Sequence, residues 1–205
     1  MEISDYIVQI VDDEEPVRKS LAFLLTKAGF AVRVHDSATA FLASAPSIRN
    51  GVLVTDLRMP DISGVELLKR LRQLPVRIPS IVITGHGDVP MAVEAMRAGA
   101  LDFIEKPFED KVLIGSIQRA AEELAKGAAG ADVSVINARL SLLSEREREV
   151  LTGVVAGMPN KTIGYDLNIS ARTVEVHRGN VMAKMEAKNL PELVRMALAV
   201  GLGPK

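Results

Sequence analysis

At 205 residues, with 48% hydrophobic and 25% charged side chains, the chain has material for two modest cores and excludes a fibrous or disordered role. It has no cysteine, so disulfides, thiolate metal sites and cysteine nucleophiles are ruled out, and a reducing, cytoplasmic setting is expected. The net charge of −1 conceals an acidic front over residues 1–126 and a mildly basic tail over 127–205, which is permissive for nucleic acid. Met1-Glu2-Ile3-Ser4-Asp5 lacks the basic flank and apolar stretch of an export signal. No apolar run approaches the roughly 18–20 residues of a membrane span, so neither export nor a membrane partner is expected.

Five short apolar runs, several rich in β-branched residues, predict buried strands: Tyr6 to Val11, Ala31 to Val34, Gly51 to Thr55, Ser80 to Thr84 and Asp102 to Ile104. Between them run helical periods, such as Val17, Leu21, Leu24 and Ala28 before Gly29, and Leu113, Ile117, Ala120 and Leu124 in the last. Strict strand–helix alternation predicts a doubly wound α/β domain with a five-stranded parallel sheet over residues 1–126. Small residues from Lys126 to Asp132 then read as a hinge, within a linker over 127–142. A compact all-α module is expected over 143–205, with four helices. Ser144-x-x-Glu147 opens the first as a capping box and Gly157 closes it; Asn160 can cap the second and Ser170 the third; Asn189-x-x-Glu192 opens the fourth.

In a doubly wound sheet, ligands gather at the carboxyl ends of the strands. Asp12 and Asp13 follow the first strand, Asp56 the third, Thr84 ends the fourth and Lys106 follows the fifth. Converging carboxylates need a cation, and an all-oxygen set with open positions favours magnesium. With Thr84 and Lys106 they could hold the oxygens of a phosphoryl group, and an aspartate beside the metal could accept it as an acyl phosphate. Asp12-Asp13 equally suit a helix cap, with Glu14 and Glu15 against the helix's positive end. His86, in the small-residue loop before the next helix, reads as a loop residue. That helix carries Val89, Ala92, Val93 and Met96 on one stripe, with Met91 and Ala95 adding apolar surface that is either a thick core face or a dimer face.

Asp12-Asp13, Asp56 within Val54-Thr55-Asp56-Leu57-Arg58-Met59-Pro60, Thr84 and Lys106-Pro107 resemble the signature of bacterial response-regulator receiver domains, whose fold is of the flavodoxin type. The resemblance implies that Asp56 is the phosphoacceptor and that Mg2+ is bound by Asp13, Asp56 and the Arg58 backbone carbonyl, with Asp12 helping through water. It implies that Thr84 and Phe103 are the switch residues and Lys106 pairs with the phosphoryl group, although an aromatic at 103 also suits a core. It further implies a sensor histidine kinase as donor and a homodimer on phosphorylation, through the helix bearing Val89, Met91 and Ala95 together with the last strand.

In the tail, the short connection Asn168-Ile169 before Ser170 is of the helix-turn-helix kind. Val174, Val181 and Met185 mark the buried side of the third helix, and the opposite side shows Arg172, Thr173, Glu175, Val176, Gly179 and Asn180, flanked by Arg178, Lys184 and Lys188. Residues 143–200 resemble the LuxR-type helix-turn-helix domain, which implies double-stranded DNA as a partner. Thr173, Val176, Arg178, Asn180 and Lys184 are the implied contacts, and His177 is a packing residue. The run from Gly85 to Met96 is similar to that of response regulators that activate nitrogen-fixation and low-oxygen genes, with RNA polymerase as a further partner. Two other readings stay open. One is a magnesium-dependent phosphatase resembling the haloacid dehalogenases, although Arg58 stands where those enzymes carry a second acid. The other is a receiver whose helical tail binds protein or RNA.

Overall fold

The computed structural model describes residues 6–85, 87–125 and 133–203. Their order is β1 (Ile7–Val11), α1 (Glu15–Lys27), β2 (Ala31–His35), α2 (Ala38–Ser44), β3 (Gly51–Asp56), α3 (Gly64–Leu71), β4 (Ser80–Thr84), α4 (Val89–Ala98), β5 (Asp102–Glu105), α5 (Asp110–Ala125), α6 (Val133–Ser141), α7 (Glu145–Val155), α8 (Asn160–Leu167), α9 (Ala171–Met185) and α10 (Leu190–Ala199). His86 and the hinge from Lys126 to Asp132 lie outside the described residues.

The five strands form one parallel sheet in the order β2-β1-β3-β4-β5. Val8 and Ile10 of β1, Val52 and Val54 of β3, Ile81 and Ile83 of β4 and Ile104 of β5 face Leu21 and Leu25 of α1 and Leu113, Ile117 and Ala120 of α5. Each fully buried Leu or Ile contributes about 1.5–3 kcal/mol to this core. The expectation of buried strands fails at β2. Ala31, Arg33 and Val34 are exposed, because β2 is an edge strand with a neighbour on one side only. Its exposed arginine suits an edge that resists further pairing.

The residues divide into two compact units, Met1–Gly87 with Ala98–Ala128 and Asp88–Arg97 with Ala129–Lys205. The expected linker over 127–142 is helical in part. Residues 133–141 form α6, whose Ile136 and Leu140 join the core made by Leu151, Val155, Val181, Met185 and Leu193. Arg148 of α7 donates to the Leu140 and Leu143 carbonyls at 2.6 and 3.3 Å, satisfying acceptors that the end of α6 leaves open. Among the described residues five helices thus follow α5. Ser144, Ser170 and Asn189 cap α7, α9 and α10 as expected, and the capping box with Glu147 is complete. Asn160 does not cap α8. Pro159 holds that position, and the Asn160 side chain accepts from Arg178 instead.

Candidate functional site

The winding of the sheet reverses between β1 and β3, which opens a crevice at their carboxyl ends. Pairing of Val11 with Thr55 carries the chain from β1 into Asp12 beside Asp56. The register of Thr84 with Glu105 brings Lys106 to the same end. Lys106 Nζ lies 2.9 Å from Asp56 Oδ1 and 3.4 Å from Asp12 Oδ2. The other Asp12 oxygen accepts the Glu14 N–H at 2.8 Å, and Asp56 Oδ2 accepts the Arg58 N–H at 2.7 Å. Arg18 donates to the Asp12 carbonyl at 2.7 Å.

Asp12 is almost wholly buried, with its side chain 1% exposed. Burial pushes its carboxyl above the usual range, against the Glu14 N–H and Lys106, and the Asp56 charge pushes it further. Burial acts to lower Lys106, but its bond to Asp56 and the charges of both aspartates hold it above the ordinary lysine value. One ammonium therefore bridges two carboxylates.

Asp13 does not join them. It is exposed at the turn into α1, and among the described residues no three acidic, histidine or cysteine side chains gather in one cluster. Extended backbone sends successive side chains to opposite sides, so a buried Asp12 leaves Asp13 outward. The pair itself fits magnesium, which commonly takes one or two carboxylates and keeps waters. With one cation against two carboxylates, the crevice keeps an excess of negative oxygen.

Thr84 is buried at the end of β4. Phe103 is half-buried on β5, and the register places both on one face of the sheet. Gly87 comes close to that ring: a Cβ there would lie 3.0 Å from Phe103 Cε1. The loop that follows Asp56 is pinned at two points no sequence pattern announced. Gly64 donates to the Leu57 carbonyl at 2.9 Å, and Asp61 Oδ2 accepts both the N–H and the hydroxyl of Thr39 at 2.8 and 2.9 Å. These partners lie 22 residues apart, which hides the link from any local reading. On α4, Val89 and Met91 are half-buried and Ala95 is fully buried, so Ala95 offers no surface for the expected dimer face.

In the second unit, Val174, Val181 and Met185 are buried as expected. Val176 is 59% exposed, and Arg172, Glu175, Gly179 and Asn180 share its exposure. Three expected contacts are held by neighbours. Thr173 bonds Ser170 Oγ through its hydroxyl at 2.8 Å. Arg178 donates to Asn160 Oδ1 at 2.8 Å, and its burial draws its pKa down, against the charge of Glu175. Lys184 Nζ lies 2.7 Å from Glu147 Oε2, which braces α9 against α7. Tyr165 on α8, an aromatic beside a glycine in a chain with 3% aromatics, is 86% exposed.

Comparison with known proteins agrees with both halves. Residues 8–118 match the response regulator receiver domain family, and residues 141–197 match the luxR family of bacterial regulatory proteins. The transcriptional regulatory protein FixJ of Rhizobium meliloti (strain 1021) is 71% identical over 98% of this chain and 100% of its own length. Among solved structures, full-length FixJ from B. japonicum is 45% identical, covers 98% of this chain and 100% of its own, and superposes with a TM-score of 0.56. The beryllofluoride-activated NtrC4 receiver domain dimer is 34% identical over 57% of this chain and 97% of its own, with a TM-score of 0.54. The chain belongs to the response regulators of the FixJ type, with a receiver domain followed by a LuxR-family DNA-binding domain.

Proposed function

We propose that this transcriptional regulator is switched by phosphorylation of Asp56 by a sensor histidine kinase and then binds promoter DNA as a homodimer. The observation that carries the reading is the Lys106 ammonium bridging Asp56 and the buried Asp12. An Asp56 oxygen attacks the phosphorus and the donor's imidazole leaves. Lys106 stays charged beside the acceptor and can follow the charge onto the transferred oxygens, and the Arg58 N–H keeps the second carboxylate oxygen oriented. Mg2+ would be held by Asp56, the Arg58 carbonyl and Asp13, which has to turn inward from its exposed position, with Asp12 helping through water, and when bound it supplies positive charge to the phosphoryl oxygens. Thr84 and Phe103, on one face of the sheet, are the residues that respond, by the order and position changes such switches use.

The homodimer draws support from the activated NtrC4 receiver, which is a dimer, with the half-buried Val89 and Met91 as the accessible part of the contact. DNA is met by the outward face of α9, through Val176 and Asn180 for bases and the exposed Arg172 for phosphates, while Thr173, Arg178 and Lys184 reach DNA only by leaving their present partners Ser170, Asn160 and Glu147. The chain acts in the cytoplasm, turns over no substrate, and activates nitrogen-fixation genes together with RNA polymerase. Intact mass after incubation with acetyl phosphate and magnesium tests the switch: one phosphoryl group is gained by the wild type and none by Asp56→Asn or the chelated control. A phosphoryl group still gained by Asp56→Asn would overturn the assignment.

A further inference from the structure

A pocket of about 340 Å³ opens in the first unit, at the amino ends of β1 and β3, the opposite end of these strands from Asp56. We infer that it is a second binding site, made for a compact dianion such as a phosphate monoester or a dicarboxylate. This inference does not rest on phosphoryl transfer at Asp56.

The register explains the pocket's chemistry. Gln9 pairs with Arg33 across β1 and β2, so both side chains lie on one face of the sheet. Gly51 has no side chain, and a Cβ there would lie 2.7 Å from Ile48 Cγ2. The loop before β3 therefore folds close against the sheet and brings Ser47 and Arg49 to the rim. Tyr6 and Ile48 supply apolar wall, and burial raises the Tyr6 hydroxyl further above its usual value, so it stays a neutral donor.

Among the described residues, none lining the pocket is acidic. Among the described residues neither Arg33 nor Arg49 has an ion-pair or hydrogen-bond partner. Gln9 is 1% exposed, and one end of its amide meets His35 Nε2 at 2.9 Å. The other end has no protein partner among the described residues, although an amide can make bonds at both ends. Two planar guanidinium forks and a buried amide donor converge on one space, the arrangement that recognises carboxylate and phosphate. The volume is at the lower end of the range for small-molecule sites, which limits the ligand to a compact one.

The test uses full-length Asp56→Asn protein without magnesium, so that the Asp56 crevice is not also read. Inorganic phosphate, glycerol 1-phosphate and succinate are each titrated at constant ionic strength, with chloride as control, while the side-chain amide resonances of Gln9 and Asn50 are followed. Saturable shifts are expected with a dianion and not with chloride, and the ratio of the phosphate to the succinate affinity identifies the class of ligand. Arg33→Ala or Arg49→Ala should each weaken binding by about tenfold, from loss of a charge-assisted bond. Ser47→Asp, an exposed change that leaves the core untouched, should abolish it. Shifts that are linear in concentration and matched by chloride, or saturation unchanged in both arginine variants, would overturn the site.

Discussion

Single side chains in this molecule act through partners distant in sequence. Glu147 accepts from Lys184 and from the Ser144 N–H, each at 2.7 Å, and these bonds, the Lys184 one foremost, hold its carboxyl down to about 2 from an ordinary 4.5. The folded form therefore binds this proton less readily than the unfolded chain. The contribution to stability is complete above about pH 4.5 and is lost as pH falls toward 2. Urea unfolding of the second unit across this window should show stability falling with pH, and Glu147→Gln should flatten that part of the profile. At the other site, removing Lys106 leaves two carboxylates facing each other. Lys106→Ala should cost about 1–3 kcal/mol at pH 7 without metal, and less in an Asp56→Asn background. Denaturation of the four proteins of that cycle measures the coupling, and additive costs would mean the bridge contributes nothing. The types of these residues were readable in the sequence. Their pairing was not, because Lys184 lies 37 residues from Glu147 and Lys106 lies 50 from Asp56.

Elements were the most legible scale wherever one period dominated. The five strands fall within a residue of their apolar runs, and the stripe of Leu113, Ile117 and Ala120 is buried on α5. Two readings failed for physical reasons. An apolar run does not say whether its strand has one neighbour or two, so the exposure of β2 was hidden. Val133-Ser134-Val135 alternates with a period of two and follows a small-residue stretch, which masked α6, although Ile136 and Leu140 keep the helical spacing. Two glycines test how tightly the helix-turn-helix is built. A Cβ on Gly164 would lie 2.7 Å from the Ile169 carbonyl oxygen and 3.3 Å from the Ala171 nitrogen, both backbone atoms. Gly164→Ala should therefore destabilise by about 1–3 kcal/mol. On α9 a Cβ at Gly179 would meet nothing within 4 Å, so Gly179→Ala should stabilise by about 0.5–1 kcal/mol. Thermal unfolding of the two variants should shift in opposite directions.

At the scale of the whole molecule, an acidic receiver half carries a mildly basic helical half, and binding to DNA should show it. Affinity for duplex should fall steeply with salt, by a slope of about 0.9 per phosphate contacted. Arg172→Ala, which removes an exposed cation, should lessen that slope by about one. Lys184→Ala should instead lower the unfolding midpoint, since its ammonium is bound to Glu147. A titration at four salt concentrations beside a melting curve separates the two effects. The Asp56 crevice takes its parts from the ends of β1, β3, β4 and β5, and its cation arrives last, at Lys106. A ribosome that has released only four strands has made both aspartates and not the ammonium that holds them together. The bridge from Lys106 to Asp12 and Asp56 is therefore absent from every unfinished chain that stops short of β5.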